Sequence, residues 1–265
     1  MTQSGAPVTQ KLPTQEGLFL QPEWRFRPWG QLQRKPLDST SGRGSIALID
    51  HPRGILLERA YRHGGLRRFL FPDWFWHHGR ASQEYKIHVE VFEKNIPTVE
   101  PAGWREKAGR IPGWRQYWFY TVYLPGSCTL PQWFTAGNSN KAVPQQMADI
   151  LWKLYQAGIY HSDLNLNNWL IWVADVRLID FDGARHMDWD RGTYVITCIK
   201  RILRSGIKLG FSSKRFFFFR FLIHFCQLMQ LPTRHVLAQL PANATQVSLL
   251  TKLGWVVGGG HRKKA

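Results

Sequence analysis

Three polar side chains in the middle of the chain have the types and the spacing that phosphoryl transfer requires. Asn168 follows Asp163 by five positions, and Asp180 follows Asp163 by seventeen. A carboxylate such as that of Asp163 can accept or orient the proton of an attacking hydroxyl. The side-chain oxygens of Asn168 and Asp180 are of the hard type that Mg²⁺ prefers. The pattern therefore indicates a site at which a hydroxyl group attacks a phosphate held by a metal ion.

Local elements must bring these side chains together, and the surrounding sequence predicts them. Residues 143–158 have the periodicity of an amphipathic helix that ends in a glycine. The apolar face of this helix consists of Met147, Ile150, Leu151, Leu154 and Tyr155. Two short strands, residues 168–172 and 176–179, are predicted after the loop. These strands should place Asp163 and Asp180 at neighbouring strand ends that face one cleft.

The order of helix, loop, two strands and Asp-Phe resembles that of protein-kinase-like phosphotransferases. His161 is a further candidate catalytic residue, which we expect to brace the loop rather than to transfer protons. Ser162 stands where protein kinases carry the arginine that reads activation-loop phosphate, and Asp182 replaces the glycine after Asp-Phe. Between Asp182 and the next predicted helix near Thr193 there is no room for a long activation segment. A small-molecule or glycolipid acceptor is therefore favoured over a peptide.

Nucleotide-binding residues are predicted in the N-terminal third of the chain. Residues 46–49 and 55–61 are predicted strands, and Gly42 and Gly44 precede the first of them. In a kinase-like sheet such a loop lets backbone N–H groups approach phosphates, whereas a simple turn is the alternative. Arg59 stands near the end of the second strand, where protein kinases carry the lysine that holds the α and β phosphates. Arginine can make bidentate phosphate contacts, although a solvent-facing charge is the alternative.

Residues 80–92 have helical spacing and carry two candidate partners for Arg59. The predicted apolar face of this helix consists of Tyr85, Val89 and Phe92. Glu84 is the favoured partner, because a helix glutamate in a kinase-like lobe orients the strand cation toward phosphate. Glu90 is the rival.

Two further strands, residues 102–107 and 116–124, complete a predicted β-rich lobe. At the end of the second strand, backbone groups of Val122 and Leu124 are predicted to bind the adenine edge. The fold predicted from this order is a two-lobed, protein-kinase-like α+β fold with a small β-rich N-lobe and a mainly helical C-lobe. The predicted divisions are residues 1–38, an N-terminal arm and lead-in; 39–124, the N-lobe; 125–257, the C-lobe; and 258–265, a basic tail.

Composition limits the class of protein and of partner. With 265 residues, of which 44% are hydrophobic, the chain can bury a large core. The formal net charge of +17 predicts an anionic partner. Nucleic acid is not expected, because the basic residues are scattered and form no known reader motif. The three cysteines are far apart and form no CxxC pair, which argues against a disulfide framework or a zinc site and favours a reducing cytosol.

The C-terminal third is predicted to contain helices over residues 191–204 and 216–231, the second stopped by Pro232. Four consecutive phenylalanines begin this second helix, flanked by Lys214, Arg215 and Arg220. No apolar run reaches the roughly 18 to 20 residues that span a bilayer. The N-terminal residues also lack the apolar segment of a secretory signal. Any membrane contact should therefore be peripheral, with the phenylalanine run either docking at the interface or packing in the core.

Several motifs resemble those of the 3-deoxy-D-manno-octulosonic acid (Kdo) kinase family of lipopolysaccharide core assembly. They are residues 161–168 (HSDLNLNN), 178–182 (LIDFD), 42–44 (GRG) and 62–66 (RHGGL). The most family-like detail is Asn165, which replaces the lysine usual in protein kinases. The likeness spans about residues 40 to 230.

This resemblance implies a kinase that uses ATP and Mg²⁺ to phosphorylate the 4-hydroxyl of a Kdo residue on the lipid A precursor. It also implies a peripheral location at the cytoplasmic face of the inner membrane of a Gram-negative bacterium. An anionic glycolipid acceptor at an anionic membrane surface agrees with the charge of +17. The alternatives are a heptose kinase of the same pathway, an aminoglycoside-type phosphotransferase, or a pseudokinase that binds anionic lipid.

Overall fold

The structure is a computed structural model that describes residues 10–11, 17–26, 29–37, 46–63, 73–76, 79–211 and 214–240. These residues divide into two units. The first takes its described residues from Met1–Lys86 and Glu100–Tyr123, and the second takes them from Ile87–Val99 and Leu124–Val247. The sequence assigned residues 87–99 to the N-lobe, but in the structure they belong to the second unit. The reason is packing, because Ile87, Val91 and Ile96 lie in the same apolar core as the helices of that unit.

Seven strands among the described residues form one antiparallel sheet in the first unit. They are β1 (Gln10–Lys11), β2 (Leu18–Leu20), β3 (Gln33–Leu37), β4 (Ile46–His51), β5 (Gly54–Ala60), β6 (Pro101–Ala108) and β7 (Arg115–Val122). Their order is β1-β3-β4-β5-β7-β6-β2. Buried Ala47, Ile49 and Leu56 alternate with more exposed neighbours, as expected for a sheet that packs on one face.

The N-terminal segment, predicted to be an arm and lead-in, contributes strands to this sheet. β3 pairs with β4, and β2 pairs with β6. Two short 3₁₀ helices, Pro22–Trp24 and Trp29–Gln31, lie between these strands, and each carries a buried tryptophan. The ring of Trp29 meets the ring of Tyr120 edge to face, with 5.6 Å between centroids. These large apolar side chains fix the segment to the sheet, since buried aromatic side chains contribute much of the packing free energy.

Helix α1 (Arg80–Glu93) was predicted, but its buried face was not. Its buried residues are Ala81, Glu84, Ile87, His88 and Val91. The predicted face was wrong, because Tyr85 and Val89 are only half-buried and Phe92 is exposed. Apolar periodicity misplaced this face because two of the buried side chains, Glu84 and His88, are polar. Both have hydrogen-bond partners that offset the cost of burial.

The second unit combines helices with short strands. Its helices among the described residues are α2 (Leu130–Thr135), α3 (Ala142–Gln156), α4 (Arg191–Lys208), α5 (Arg215–Leu228) and α6 (Thr233–Gln239). Its strands there are β8 (Cys128–Thr129), β9 (Ile159–Tyr160), β10 (Trp169–Trp172), β11 (Asp175–Leu178) and β12 (Arg185–His186). They form a three-stranded sheet, β11-β10-β8, and a separate pair, β12-β9.

The core of the second unit lies between α3 and its neighbours. Met147, Leu151 and Leu154 of α3 are buried and share one apolar cluster with Phe221 and Phe225 of α5. The predicted apolar face of α3 is therefore largely correct, with Tyr155 half-buried at its border. None of the described helices has the length and hydropathy needed to cross a membrane.

Candidate active site

The candidate catalytic loop, residues 161–168, follows α3 and the short strand β9. Gly158 has a φ of 68°, a left-handed conformation that glycine adopts without a steric penalty. This glycine turns the chain from α3 into β9, which pairs antiparallel with β12. The backbone N–H of Met187, just after β12, donates to the carbonyl of Gly158 at 2.8 Å. The two strands thus hold the start of the loop beside the end of the segment that contains Asp180.

His161 is fully buried and braces the loop. Its Nδ1 accepts a hydrogen bond from the backbone N–H of Asp163 at 3.2 Å, and its Nε2 lies 3.1 Å from the carbonyl oxygen of Ile179. Burial lowers the pKa of His161, against the opposing effect of the Asp180 and Asp163 carboxylates. A neutral ring that donates from Nε2 and accepts at Nδ1 satisfies both contacts. With both nitrogens engaged, His161 positions the loop and is not placed to carry protons.

Asp163 and Asn168 are tied together across the loop. The amide nitrogen of Asn168 donates to the backbone carbonyl of Asp163 at 2.8 Å and lies 3.4 Å from its carboxylate Oδ2. Asn168 is 9% exposed, whereas Asp163 is exposed. The loop therefore presents an accessible carboxylate whose backbone is held at both its N–H and its carbonyl group.

Asp180 lies next to this pair because β10 and β11 are in register. Trp169 pairs with Leu178, and the N–H of Ile179 donates to the carbonyl of Asn168 at 2.9 Å. Asp180 has a φ of 66°, in the left-handed region that costs a non-glycine residue about 1–3 kcal/mol. Backbone strain of this kind is concentrated at functional sites. The conformation supports a functional role for Asp180.

The donor set fits Mg²⁺. Because the amide nitrogen of Asn168 is bound to Asp163, its amide oxygen is the atom that can ligate a cation, next to the carboxylate of Asp180. Mg²⁺ is usually held by one or two carboxylates together with substrate phosphates rather than by a full protein cage. The described residues contain no cluster of three or more His, Cys, Asp or Glu side chains that could hold a metal ion.

A buried serine on α4 supports the loop, and no local sequence pattern indicates it. Ser205 donates to Oδ1 of Asn165 at 3.0 Å and accepts from the backbone N–H of Leu166 at 2.9 Å. Asn165 also caps the 3₁₀ helix Leu166–Asn168 by accepting from the N–H of Asn167 at 3.1 Å. These bonds fix the turn that ends in Asn168. Ser205 lies 40 positions from Asn165, too far for local spacing to indicate the contact.

Phe181 packs between two buried histidines in the second unit. Its ring centroid lies 5.0 Å from that of His161 and 4.8 Å from that of His88 on α1. His88 in turn lies 2.9 Å from both the hydroxyl of Thr98 and the carbonyl of Val99. These ring contacts fix Phe181, the residue next to Asp180. A sequence signal for His88 existed, because it follows Glu84 by four positions and so shares its helix face.

A tight turn follows Phe181. Gly183 has a φ of 76°, and a Cβ atom at this position would lie 2.8 Å from the Ser162 hydroxyl oxygen. A side chain at this position would therefore crowd Ser162. The hydroxyl of Ser162 donates a hydrogen bond to the carbonyl of Asp182, the residue before the glycine, at 3.4 Å. After β12 the chain reaches Asp190, which caps α4 by accepting from the N–H of Thr193 at 3.0 Å. The expectation that no long activation segment fits here is confirmed.

In the first unit, Arg59 on β5 lies against Glu84 on α1. Its Nη2 is 2.6 and 2.9 Å from the two carboxylate oxygens of Glu84, and the hydroxyl of Tyr61 also donates to Glu84. The guanidinium lies 4.9 Å from the Tyr61 ring centroid. Glu90, the rival partner, instead contacts Lys94 and His186. The Arg59 side chain is 25% exposed, so a held cation still reaches solvent.

The remaining predicted nucleotide contacts are only partly described. Gly42 and Gly44 lie outside the described residues, as does the 64–66 part of the RHGGL motif. The backbone N–H of Val122 is taken by the carbonyl of Glu100 at 2.9 Å. Within the described part of the chain, no hydrogen-bond acceptor is found for the N–H of Leu124. Of the two N–H groups, that of Leu124 is the one open to a ligand.

The sequence is similar to those of known proteins, and this similarity does not depend on the geometry of the site. A family model described as "Lipopolysaccharide kinase (Kdo/WaaP) family" matches residues 27–214. A 3-deoxy-D-manno-octulosonic acid kinase of Vibrio parahaemolyticus is 27% identical to this chain, over 70% of it and 78% of the relative. The protein of the same name from Xylella fastidiosa strain M23 is 30% identical over 73% of this chain and 75% of the relative.

A solved structure of WaaP in complex with acyl carrier protein has a TM-score of 0.52 with this chain at 15% identity. The match covers 85% of this chain and 89% of that one. It confirms the predicted α+β, protein-kinase-like fold, and nucleotide use is a general property of kinases of this kind. Since the family model spans more than half of the sequence, this chain is a kinase that belongs to the lipopolysaccharide kinase (Kdo/WaaP) family.

Proposed function

We propose that this kinase transfers the γ-phosphate of ATP to the 4-hydroxyl of a Kdo residue on the lipid A precursor. The observation that carries this proposal is the arrangement of an exposed Asp163 tied to Asn168, with Asp180 at the end of the neighbouring strand. The acceptor is supported by relatives named Kdo kinase at 27–30% identity. The short connection from Asp182 to α4 also favours a sugar over a peptide.

In the proposed reaction, Asp163 orients the acceptor hydroxyl and takes its proton. The hydroxyl oxygen forms a bond to the γ-phosphorus, and the bond from that phosphorus to the β,γ-bridging oxygen breaks, so that ADP leaves. Transfer of this kind depends mainly on positioning and charge stabilisation. Asp163 suits the role because its carboxylate is exposed while its backbone is fixed by His161 and Asn168.

Asn168 and Asp180 are the residues that would hold Mg²⁺. When bound, the ion neutralises charge on the phosphates of the nucleotide. The chain itself keeps Asn168 and Asp180 at neighbouring strand ends through the β10–β11 register and the backbone bond from Ile179 to Asn168.

Nucleotide phosphates are the proposed ligand of Arg59. The carboxylate of Glu84 holds the guanidinium through Nη2, and the planar fork of N–H groups in a guanidinium suits phosphate. Gly42 and Gly44 are proposed to add backbone contacts to phosphate. The adenine edge is proposed to meet the carbonyl of Val122 and the N–H of Leu124.

The proposed acceptor is anionic and lipid-linked, and the proposed location is peripheral, at the cytoplasmic face of the inner membrane of a Gram-negative bacterium. The net charge of +17 supports both, because each basic residue near an anionic membrane contributes about 1 kcal/mol. No nucleic-acid partner is proposed.

An acceptor panel tests the proposal. Purified protein is incubated with Mg-ATP and, in parallel, Kdo-lipid A precursor, the same glycolipid lacking Kdo, a heptose-bearing core and an aminoglycoside. We expect ADP release and phosphate incorporation only with the Kdo acceptor, and ³¹P–¹H correlation NMR should place the phosphate on the 4-hydroxyl. Transfer to heptose or to the aminoglycoside would reject the Kdo assignment. No transfer to any acceptor by folded protein would favour a pseudokinase.

A further inference from the structure

Helix α5 presents an aromatic face to solvent. Phe216 is 83% exposed and Phe219 is 51% exposed, although Phe221 and Phe225 on the opposite face of the same helix are buried in the core. Arg220 lies on the outer face and is also exposed. The inner phenylalanines already fix the helix to its unit, so the outer pair adds nothing to the core. Exposed aromatic side chains next to each other on one surface mark interaction sites.

A cavity of about 290 Å³ opens beside this face. Its aromatic wall consists of Trp133, Phe134, Phe216 and Phe217, and its polar wall includes the loop of Asn138, Ser139 and Asn140. Three cations, Lys141, Lys214 and Arg220, also line it, and no acidic side chain does so among the described residues. The cavity therefore combines aromatic surface with positive charge.

The charges of these cations are not neutralised within the described part of the chain. Lys214 has its Nζ 5.4 Å from the ring centroid of Phe134, a cation–π contact that leaves its charge in place. No ion pair joins Lys141 or Arg220 to an acidic side chain among the described residues. An anion that enters the cavity would thus meet cations that do not have to be released from carboxylates first.

We propose that this surface, made of Phe216, Phe219 and the cavity lined by Lys141, Lys214 and Arg220, docks the protein on an anionic phospholipid bilayer. The phosphate of one lipid headgroup enters the cavity, and the two phenylalanines enter the interface between headgroups and acyl chains. This inference rests on the proposed function in one respect, which is that the acceptor is held in a membrane. It adds the residues that make the contact.

Lipid fits this surface better than an acidic protein or a nucleic acid does. Apolar side chains on one helix face with basic residues beside them are the pattern of interfacial membrane binding. An apolar phase outside the protein would bury the exposed rings of Phe216 and Phe219, and a soluble polyanion does not supply one. The overall charge of +17 adds a long-range attraction to the same negatively charged surface.

Vesicle co-sedimentation tests the proposal. Full-length protein is mixed with phosphatidylcholine vesicles that contain or lack phosphatidylglycerol, with no nucleotide or acceptor present. We expect binding only to the anionic vesicles. Changing both outer phenylalanines (Phe216→Ser with Phe219→Ser) should weaken this binding about ten-fold or more, and Arg220→Glu should weaken it in a salt-dependent manner.

Val173→Asn is the matched control. Val173 is 89% exposed in the same unit but does not line the cavity, so removing it should leave vesicle binding unchanged. Circular dichroism should show that all variants are folded. Kinase activity toward a deacylated, water-soluble Kdo acceptor should not change in the phenylalanine variants, and this assay reports on the proposed reaction independently of membrane binding.

Three results would overturn the proposal. They are equal binding of wild type and the double phenylalanine variant to anionic vesicles, no binding of wild type to these vesicles at low salt, and retention by an acidic soluble protein with none by vesicles. Failure of the soluble-acceptor assay alone would instead reject the proposed reaction, while vesicle binding that is lost in the double phenylalanine variant would still support the docking surface.

Discussion

At the scale of single residues, Asn165 shows how this loop differs from that of a protein kinase. It stands where the lysine is usual, and its Oδ1 accepts from Asn167 and Ser205 at 3.0–3.2 Å. Its side chain is therefore committed to the shape of the loop and supplies no charge to a phosphate. The sequence identified Asn165 as unusual for a kinase loop. The structural reason for this residue is its hydrogen bond from Ser205, which the sequence does not reveal.

Replacing Ser205 by Ala should impair both stability and turnover. The N–H of Leu166 would lose its acceptor in a buried position, which costs about 1–3 kcal/mol of unfolding free energy. Because Asp163 and Asn168 would both be held less firmly, kcat should fall about ten-fold or more and the KM for Mg-ATP should rise. Urea unfolding and steady-state kinetics measure the two effects.

Thr135→Ala is the control for Ser205→Ala. The Thr135 hydroxyl donates to the carbonyl of Pro131 at 2.9 Å, but the side chain is exposed, so water replaces the lost bond. We expect neither stability nor kcat to change appreciably. A Ser205→Ala variant with wild-type kcat would show that the loop does not need this support.

Glu84→Gln should destabilise the protein more than Glu90→Gln on the same helix. Glu84 is buried and bound to Arg59 and Tyr61, whereas the ion-pair partners of Glu90 among the described residues are the exposed Lys94 and His186. We expect a loss of about 1–3 kcal/mol for Glu84→Gln and less than about 1 kcal/mol for Glu90→Gln. Chemical denaturation of both variants checks the order. Equal losses would contradict the assignment of Glu84 as the structural partner of Arg59.

Among the elements, β10 and β11 matter most because their register places Asn168 beside Asp180. The turn that joins them contains Val173 at a φ of 59°, an unfavourable conformation for a β-branched residue. Because the Val173 side chain is exposed, no burial of apolar surface offsets this backbone strain. The hairpin that positions the proposed metal ligands therefore carries avoidable strain at its far end.

Val173→Asn should raise the unfolding free energy by about 1 kcal/mol, because Asn tolerates the left-handed region far better than Val does. Val173→Thr separates this effect from polarity, since Thr is also β-branched and should give no gain. Thermal unfolding followed by circular dichroism compares the two. A stabilising effect of Thr equal to that of Asn would mean that polarity, and not backbone strain, is responsible.

Most elements were predictable from local patterns, and the exceptions have physical causes. Apolar residues recur with a clear period in the helices around residues 143–158 and 191–204 and in the two strands after the loop. The positions of these elements were therefore predicted. Strands β2 and β3 were missed because they are short and pair with distant or edge partners, and only the buried Trp24 and Trp29 reveal that the segment is fixed. Helix α5 ends at Leu228, earlier than predicted, and its phenylalanines divide between core and solvent.

At the scale of the whole molecule, spacing in the sequence found the three candidate active-site residues but could not find what supports them. Asp163, Asn168 and Asp180 lie within eighteen consecutive residues. Ser205 comes from a distant helix, and its role depends on tertiary packing that no local pattern encodes. The helix face of His88 could be read from its spacing to Glu84, but its contact with Phe181 could not.

The three cysteines should be slow to react in the folded protein. All three are free thiols, and Cys198 and Cys226 are buried. Burial raises the pKa of each thiol, including that of half-buried Cys128, so little reactive thiolate forms near neutral pH. Titration with a chromogenic disulfide reagent should detect slow reaction of Cys128 at most, and of all three thiols after denaturation. Rapid reaction of Cys198 in native protein would contradict the described core.

The central claim is that Asp163 acts on the acceptor hydroxyl whereas Asn168 and Asp180 hold Mg²⁺. Measuring both Mg-ATP binding and phosphate transfer in the same variants tests this claim most directly. For Asp163→Asn we predict Mg-ATP affinity close to wild type, with transfer to the Kdo acceptor lowered about 10²–10⁴-fold. For Asp180→Asn we predict that Mg²⁺ no longer strengthens ATP binding. An Asp163→Asn variant that transfers phosphate at the wild-type rate would contradict the account.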